Sequence, residues 1–191
     1  MMTSRHCSKV LSITGFMGCG KTTVGRILAQ FCGSPFIDLD SEIEKRTGTS
    51  ISEIFSRIGE YGFRAVERMT LESVLTELTA NGQQRAVLSL GGGTLTTPEC
   101  AMLVKRYTKC VWLKASPETI LENLSGDTER PLLCGCADET SRRKRICCLL
   151  EERSPIYKAT AALEVETDGK SPNEIASEIL ENIDNIRFLD L

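Results

Sequence analysis

The sequence predicts an α/β fold: a doubly wound, five-stranded parallel sheet between two layers of helices. Short apolar segments typical of buried strands alternate with helical segments along all 191 residues, as in parallel sheets. The first apolar segment also runs directly into a glycine-rich turn and a helix, a common arrangement at ligand sites of such sheets. A chain of this length can form one domain with a substantial core. We therefore predict a single domain spanning residues 1–191.

The predicted strands are short runs rich in apolar and β-branched residues. They are residues 10–14, 35–40, 86–90, 110–113 and 163–166. Continuous apolar runs of this kind are typical of strands that are buried on both faces. The sequence thus supplies the five strands of the predicted sheet.

The predicted helices have apolar residues at helical spacing and recognisable ends. One begins near residue 21, and the others are 41–46, 50–58, a longer one to about 80, 98–106, one from 117, 141–157 and 172–183. Ser50 and Glu53 form a capping box, and Pro117 follows the capping residue Ser116. Residues 126–139 lack apolar periodicity, and an irregular segment of that length is typical of a functional lid.

The turn after the first strand, Gly15 to Thr22, reads GFMGCGKT and fits the phosphate-binding pattern G-x-x-x-x-G-K-[ST]. Glycines let the backbone bend so that its N–H groups and the helix N-terminus face an anion. We predict that Lys21 reaches the β- and γ-phosphates of a nucleoside triphosphate and that Thr22 binds Mg²⁺. The predicted nucleotide-binding residues here are Gly18, Cys19, Gly20, Lys21, Thr22 and Thr23. The alternative is a glycine-rich turn without a ligand.

Charge and apolar content exclude several classes of partner. The net charge is −3 with both signs spread along the chain, whereas nucleic-acid-binding proteins usually carry a basic surface. No stretch is long and apolar enough to cross a bilayer, and residues 1–9 lack an apolar signal core. We expect a cytoplasmic protein with no nucleic-acid or membrane partner. Its nine scattered cysteines are expected to be reduced, and the loop amides and Lys21 are expected to lower the pKa of Cys19.

Two further features are predicted at the carboxyl edge of the sheet, where ligands bind in this fold. Asp38 and Asp40 lie two residues apart on a segment predicted to be extended, so their side chains would point the same way. One would belong to the Mg²⁺ shell, and the other would meet the hydroxyl that attacks the γ-phosphate. Asp40 could instead cap the next helix. The glycines at 91–93 would allow close approach to a ligand, or form an ordinary tight turn.

These motifs together resemble the shikimate kinase family, and the resemblance covers nearly the whole chain. The matching segments are Gly15 to Gly25, Asp38 to Asp40, Gly59 to Glu67, Leu90 to Gly93, Arg130 to Leu133 and Arg153 to Tyr157. The resemblance implies a P-loop, nucleoside monophosphate kinase-like fold with a mobile lid at about 126–139 and a substrate-binding region at about 40–80. It also implies transfer of the ATP γ-phosphate to the 3-hydroxyl of shikimate, a step toward aromatic amino acids.

The resemblance also implies roles for individual residues. Shikimate would be held by Asp40, Arg64, Gly92 and Arg153. Two arginines suit its carboxylate because they offer charge-assisted contacts, and Glu67 would orient Arg64. Asp38 would lie near Mg²⁺. The catalytic residues would be Lys21, Asp40 and the lid residue Arg130, which would also contact the nucleotide together with Lys170.

Two positions depart from the family pattern, and both concern the adenine end. Asn123 stands where an arginine often stacks on adenine, and Lys170 stands where an arginine is common.

Other functions remain open from the residues alone. Another small-molecule kinase of this architecture, such as a gluconate or nucleoside monophosphate kinase, would need a different acceptor pocket. A nucleotide-driven switch or binding module is a rival of another class, although the chain lacks the N-K-x-D guanine motif. The resemblance implies a monomer that uses ATP and Mg²⁺.

Overall fold

The computed structural model describes residues 10–80, 85–125 and 138–183. Its five parallel strands form one sheet in the order β2-β3-β1-β4-β5. The strands are β1 (Val10–Thr14), β2 (Phe36–Asp38), β3 (Ala86–Ser89), β4 (Lys109–Lys114) and β5 (Leu163–Glu166). Because β1 lies between β3 and β4, the turn that follows it emerges at the point where the strand order reverses, the usual ligand site of doubly wound sheets. The predicted α/β fold and its five strands are confirmed.

The helices follow the predicted alternation closely. They are α1 (Lys21–Phe31), α2 (Leu39–Thr47), α3 (Ile51–Ala80), α4 (Pro98–Tyr107), α5 (Pro117–Asn123), α6 (Glu139–Thr160) and α7 (Pro172–Ile183), with a short 3₁₀ turn at Thr94–Thr96. The capping box forms, since Ser50 Oγ accepts from the Glu53 N–H at 3.3 Å. Gly59 breaks the direction of α3 with φ of 67°, which explains why the sequence indicated two helices there.

Alternation of side chains along the strands divides the core between the two faces of the sheet. On one face, Leu88 and Trp112 pack with α2, α3, α4 and α6. On the other face, Leu11, Ile13 and Val111 pack with α1 and α7. Buried Phe16 of the phosphate-binding turn lies in a third cluster, where it packs with residues of α5 and α6. The result is three layers, with the turn packed against α5 and α6.

The predicted boundary between the second strand and the next helix is wrong. The strand ends at Asp38, and Asp40 already lies in the first turn of α2. Asp38 Oδ1 accepts hydrogen bonds from the N–H groups of Asp40 and Ser41 at 3.1 and 3.3 Å. The two carboxylates therefore do not share one extended segment. The capping role considered for Asp40 belongs to Asp38, whose short side chain suits the N-cap position.

None of the helices in the described parts of the chain combines the length and apolar character needed to cross a bilayer. The six cysteines within the same ranges are free thiols.

Candidate active site

The turn after β1 has the backbone shape that the sequence motif predicts. Gly15, Gly18 and Gly20 have φ of 144°, 79° and 89°, values that side-chain-bearing residues rarely adopt. Helix α1 begins immediately afterwards at Lys21. The first N–H groups of a helix have no partner within the helix and point outward from its N-terminal end, where they can donate to an anion. The turn can therefore hold phosphate groups.

A pocket of about 440 Å³ opens over this turn. It is lined by Met17, Gly18, Gly20, Lys21, Thr22, Thr23, Asp38, Asp40, Ser89, Leu90, Gly92, Asn123 and Pro172. Most of the predicted nucleotide-binding residues thus meet in one cavity, which we call the nucleotide pocket. Lys170 does not line it, and its Nζ instead lies 2.6 Å from Glu178 Oε2.

The residues predicted to bind phosphate and Mg²⁺ make hydrogen bonds with one another or with the turn. Lys21 Nζ donates to the backbone oxygen of Phe16 at 2.8 Å, so its ammonium group is folded over the turn. Thr22 Oγ1 donates to Asp38 Oδ2 at 2.9 Å. A hydroxyl and a carboxylate held together are the oxygen ligands that Mg²⁺ takes from proteins. These two residues therefore fit a magnesium ion bound beside the phosphates.

A second, smaller pocket of about 90 Å³ adjoins the first. It is lined by Met17, Asp40, Ile51, Phe55, Phe63, Arg64, Glu67, Gly91, Gly92, Gly93 and Arg153. We call it the acceptor pocket, since it contains every residue predicted to hold the acceptor. Asp40 lines both pockets, as do Met17 and Gly92. Asp40 therefore lies where two bound molecules would meet.

Arg64 is held in the acceptor pocket by two carboxylates. Its Nη1 donates to Glu67 Oε2 at 2.7 Å and its Nη2 donates to Glu60 Oε1 at 3.1 Å. The other oxygen of the fully buried Glu67 accepts from Thr94 Oγ1 at 2.6 Å. Burial works against the charged form of Arg64, but the two carboxylates outweigh it and raise the pKa of the guanidinium above its usual value. Thr94 was not identified from the sequence.

The triple glycine makes room for this arginine. A Cβ atom at Gly93 would lie 2.7 Å from Arg64 Cζ and 2.8 Å from Nη1, so the guanidinium rests directly on the glycine backbone. A Cβ atom at Gly91 would lie 2.9 Å from Asp40 Oδ1. The glycines are thus required by protein side chains around the pocket.

The carbonyl oxygen of Gly92, the middle residue of the triple glycine, is held by Arg153 and Tyr157. Arg153 Nη1 donates to the backbone oxygen of Gly92 at 3.2 Å, and the Tyr157 hydroxyl donates to the same oxygen. Burial raises the pKa of Tyr157, so its hydroxyl stays protonated and able to donate. Arg153 is 3% exposed, and its Cζ lies 5.7 Å from the centre of the Phe16 ring. Its Nε has no hydrogen-bond partner among the described residues.

Asn123 lines the nucleotide pocket, whereas Cys19 of the phosphate-binding turn does not. Asn123 Nδ2 donates to the backbone oxygen of Gly18 at 2.8 Å, a contact that the sequence did not indicate. Cys19 is 3% exposed. Its burial raises the pKa of the thiol, and the attraction of Lys21 only partly offsets this. The predicted lowering of the Cys19 pKa is therefore wrong.

Arg130 and residues 126–137 of the predicted lid lie outside the described residues.

A phosphate-binding turn lies at the centre of the parallel sheet, and Asp40 connects it to a pocket that contains two arginines. This arrangement defines a P-loop protein of the small-molecule kinase type. Comparison with known families is more specific. The family model described as shikimate kinase matches residues 17–184. The chain therefore belongs to the shikimate kinase family.

Individual relatives agree with this assignment. The chain is 40% identical to a shikimate kinase of Chlorobium limicola over 189 residues, which cover 97% of this chain and 90% of the relative. It is 42% identical to a shikimate kinase of Thermus thermophilus over 174 residues, covering 91% and 89%.

Solved structures support the same relationship. The shikimate kinase from Acinetobacter baumannii in complex with shikimate superposes with a TM-score of 0.84 at 33% identity, covering 94% of this chain and 95% of that one. A gluconokinase from Sinorhizobium meliloti reaches a TM-score of 0.56 at 17% identity, a level that reflects the shared fold alone.

Proposed function

We propose that this protein transfers the γ-phosphate of ATP to the 3-hydroxyl of shikimate, giving shikimate 3-phosphate and ADP. The reaction is a step in chorismate and aromatic amino acid biosynthesis. The observation that carries the proposal is the position of Asp40, which lines both the nucleotide pocket and the acceptor pocket. Membership of the shikimate kinase family supports the choice of acceptor.

The nucleotide pocket would hold ATP by its phosphates. Backbone N–H groups of the turn, including those of Gly18, Cys19 and Gly20, would bind phosphate oxygens together with the start of α1 at Thr23. Lys21 would leave the Phe16 carbonyl and contact the β- and γ-phosphates. Thr22 and Asp38 would hold Mg²⁺, which when bound neutralises negative charge on those phosphates.

The acceptor pocket would hold shikimate by its carboxylate and its hydroxyls. Arg64 and Arg153 supply the positive charge, and guanidinium groups form strong, oriented contacts with carboxylates. Gly92 contributes backbone beside the ring. Asp40 would contact the reacting hydroxyl, orient it toward the γ-phosphate and accept its proton. Phosphoryl transfer depends mainly on positioning and electrostatics, so orientation by Asp40 is the larger part of this role.

Closure of the lid completes the proposed reaction. Arg130 would move over the transferring phosphoryl group and stabilise its charge, while the lid excludes water that would otherwise hydrolyse ATP. Lys170 would contact the nucleotide at its adenine end. These two assignments come from the sequence resemblance. We also propose that the protein acts in the cytoplasm as a monomeric, single-domain kinase without nucleic-acid or membrane partners.

The deciding experiment measures ADP release from ATP and Mg²⁺ with shikimate, gluconate, AMP or no acceptor. We expect strong stimulation by shikimate alone. Stimulation by gluconate or AMP would identify another kinase of this fold and overturn the roles of the two arginines. No stimulation by any acceptor would favour a nucleotide-driven switch.

A matched pair of variants tests the acceptor pocket itself. Arg64→Lys keeps the charge beside Glu67 but loses the planar group, so the KM for shikimate should rise at least about tenfold. Arg68 lies one turn further along the same helix, is half-buried and pairs with Glu72. Arg68→Lys should therefore leave the KM unchanged. Equal effects of the two substitutions would contradict the proposed acceptor site.

A further inference from the structure

The two carboxylates that hold Arg64 differ greatly in their surroundings. The side chain of Glu67 is 1% exposed and that of Glu60 is 53% exposed. Glu67 also accepts from Thr94, so its position is fixed from both sides. Removing a partner from a buried ion pair is strongly unfavourable, whereas an exposed pair contributes little. Glu67 is therefore the permanent partner of Arg64, and Glu60 is the replaceable one.

The position of Glu60 in the chain makes its release easy. It is the first residue after Gly59, where the backbone leaves helical geometry with φ of 67° and ψ of −179°. A carboxylate in the first turn of a restarting helix is stabilised by the helix dipole and by water. Glu60 therefore remains solvated and favourably placed when it is separated from Arg64.

The charges around Arg64 favour the departure of one carboxylate when an acid binds. The acceptor pocket is lined by the carboxylates of Asp40 and Glu67 and by the guanidinium groups of Arg64 and Arg153. Glu60 does not itself line the pocket, but its 3.1 Å ion pair with Arg64 places a third carboxylate beside it. A bound acid would add a fourth and compete for the same guanidinium edge. Because like charges repel at close range, the exposed carboxylate is the one to leave.

We propose that Glu60 occupies Arg64 in the unliganded enzyme and is exchanged for the carboxylate of the acceptor, so that it sets the affinity for acidic acceptors. This inference rests on the proposed function, since it requires an acceptor that carries a carboxylate. Glu60 occupies Nη2 of the guanidinium while the pocket is empty, and each binding event breaks one ion pair as it forms another. Glu60 thus weakens acceptor binding by the amount that its own pair contributes.

The test compares Glu60→Gln with the wild-type protein, using shikimate and the uncharged methyl ester of shikimate as acceptors. Glu60→Gln removes the competing charge and nearly preserves shape. We expect the KM for shikimate to fall about two- to fivefold, the factor that corresponds to a half-exposed ion pair. The kcat should stay within about twofold, and the KM for the ester should not change, because the ester does not compete for Arg64.

The control is Glu72→Gln, which breaks the Arg68–Glu72 pair on the same helix and should change neither KM. A higher KM for shikimate in Glu60→Gln would show that Glu60 positions Arg64 and would overturn the proposal. Equal changes for the acid and the ester, or no change, would overturn it as well. Wild-type protein that shikimate does not stimulate would instead refute the proposed function itself, and the inference with it.

Discussion

Replacing Gly93 by alanine tests the close approach of backbone and guanidinium in the acceptor pocket. The backbone of Gly93 has φ of −112° and ψ of −2°, a negative-φ conformation that is open to alanine. The added methyl group would lie 2.7 Å from Arg64 Cζ. Because non-bonded heavy atoms rest about 3.5–4.0 Å apart, the guanidinium must retreat by roughly 1 Å. The substitution therefore acts through Arg64 and leaves the backbone in place.

The size of the effect follows from the contacts of Arg64. A retreat of that size stretches the 2.7 Å hydrogen bond to Glu67 and misplaces the group that would receive the acceptor carboxylate. A hydrogen bond to a charged group contributes about 1.5–3 kcal/mol. We therefore expect the KM for shikimate to rise about 10- to 150-fold. Gly93 does not line the nucleotide pocket, so ATP affinity should stay within about twofold of the wild-type value.

The assay is the initial rate of ADP release at varied shikimate concentration, with ATP binding measured separately by calorimetry. Arg64→Lys provides the control background, because the narrower ammonium group gives way to the methyl group. In that background Gly93→Ala should change the KM less than about threefold, and such non-additivity is expected of residues in contact. A KM for Gly93→Ala near the wild-type value would refute the reasoning, as would an equal loss of ATP affinity.

Three further predictions concern separate parts of the site. Tyr157→Phe removes one donor from the Gly92 carbonyl, so it should lower the free energy of unfolding by about 1 kcal/mol and raise the KM for shikimate several-fold, as measured by urea denaturation and kinetics. Asp40→Asn should preserve ATP binding in calorimetry but reduce kcat by about 100-fold or more. At pH 8, iodoacetamide should label exposed Cys148 well before Cys19, whose pKa is raised by burial, as followed by peptide mass spectrometry.

Each of these predictions has an outcome that would contradict it. Unchanged kinetics in Tyr157→Phe would show that Gly92 is held without the hydroxyl. Near-normal turnover in Asp40→Asn would remove that carboxylate from the reaction. Labelling of Cys19 as fast as that of Cys148 would show that the phosphate-binding turn opens readily to solvent.

The features that the sequence predicted correctly depend on residues that are close together in the chain. The apolar strand segments, the capping box and the glycine-rich turn depend on local sequence, and each lies where it was expected. The boundary at Asp38 was missed because an apolar run followed by acidic residues fits both a longer strand and a helix cap. The structure decides between them: the paired register of β2 with β3 ends at Asp38 and Ser89, and the Asp38 side chain caps α2.

The contacts that the sequence could not indicate join residues far apart in the chain. Thr94 and Glu67 are 27 residues apart, Tyr157 and Gly92 are 65 apart, and Asn123 and Gly18 are 105 apart. No local pattern encodes such pairs, because they depend on the packing of whole helices against the sheet. The pKa of Cys19 was mispredicted for the same reason, since neighbouring residues indicate its charge environment but not its burial.

Phe16 contacts residues of both the nucleotide pocket and the acceptor pocket. Its carbonyl oxygen accepts from the ammonium group of Lys21 at 2.8 Å, and its ring lies against the guanidinium of Arg153. If nucleotide binding draws Lys21 away and shifts this residue, the acceptor arginine shifts with it. Thermodynamic linkage then requires the acceptor to alter nucleotide affinity by the same factor. Affinities measured for either ligand alone would in that case differ from those that govern the ternary complex.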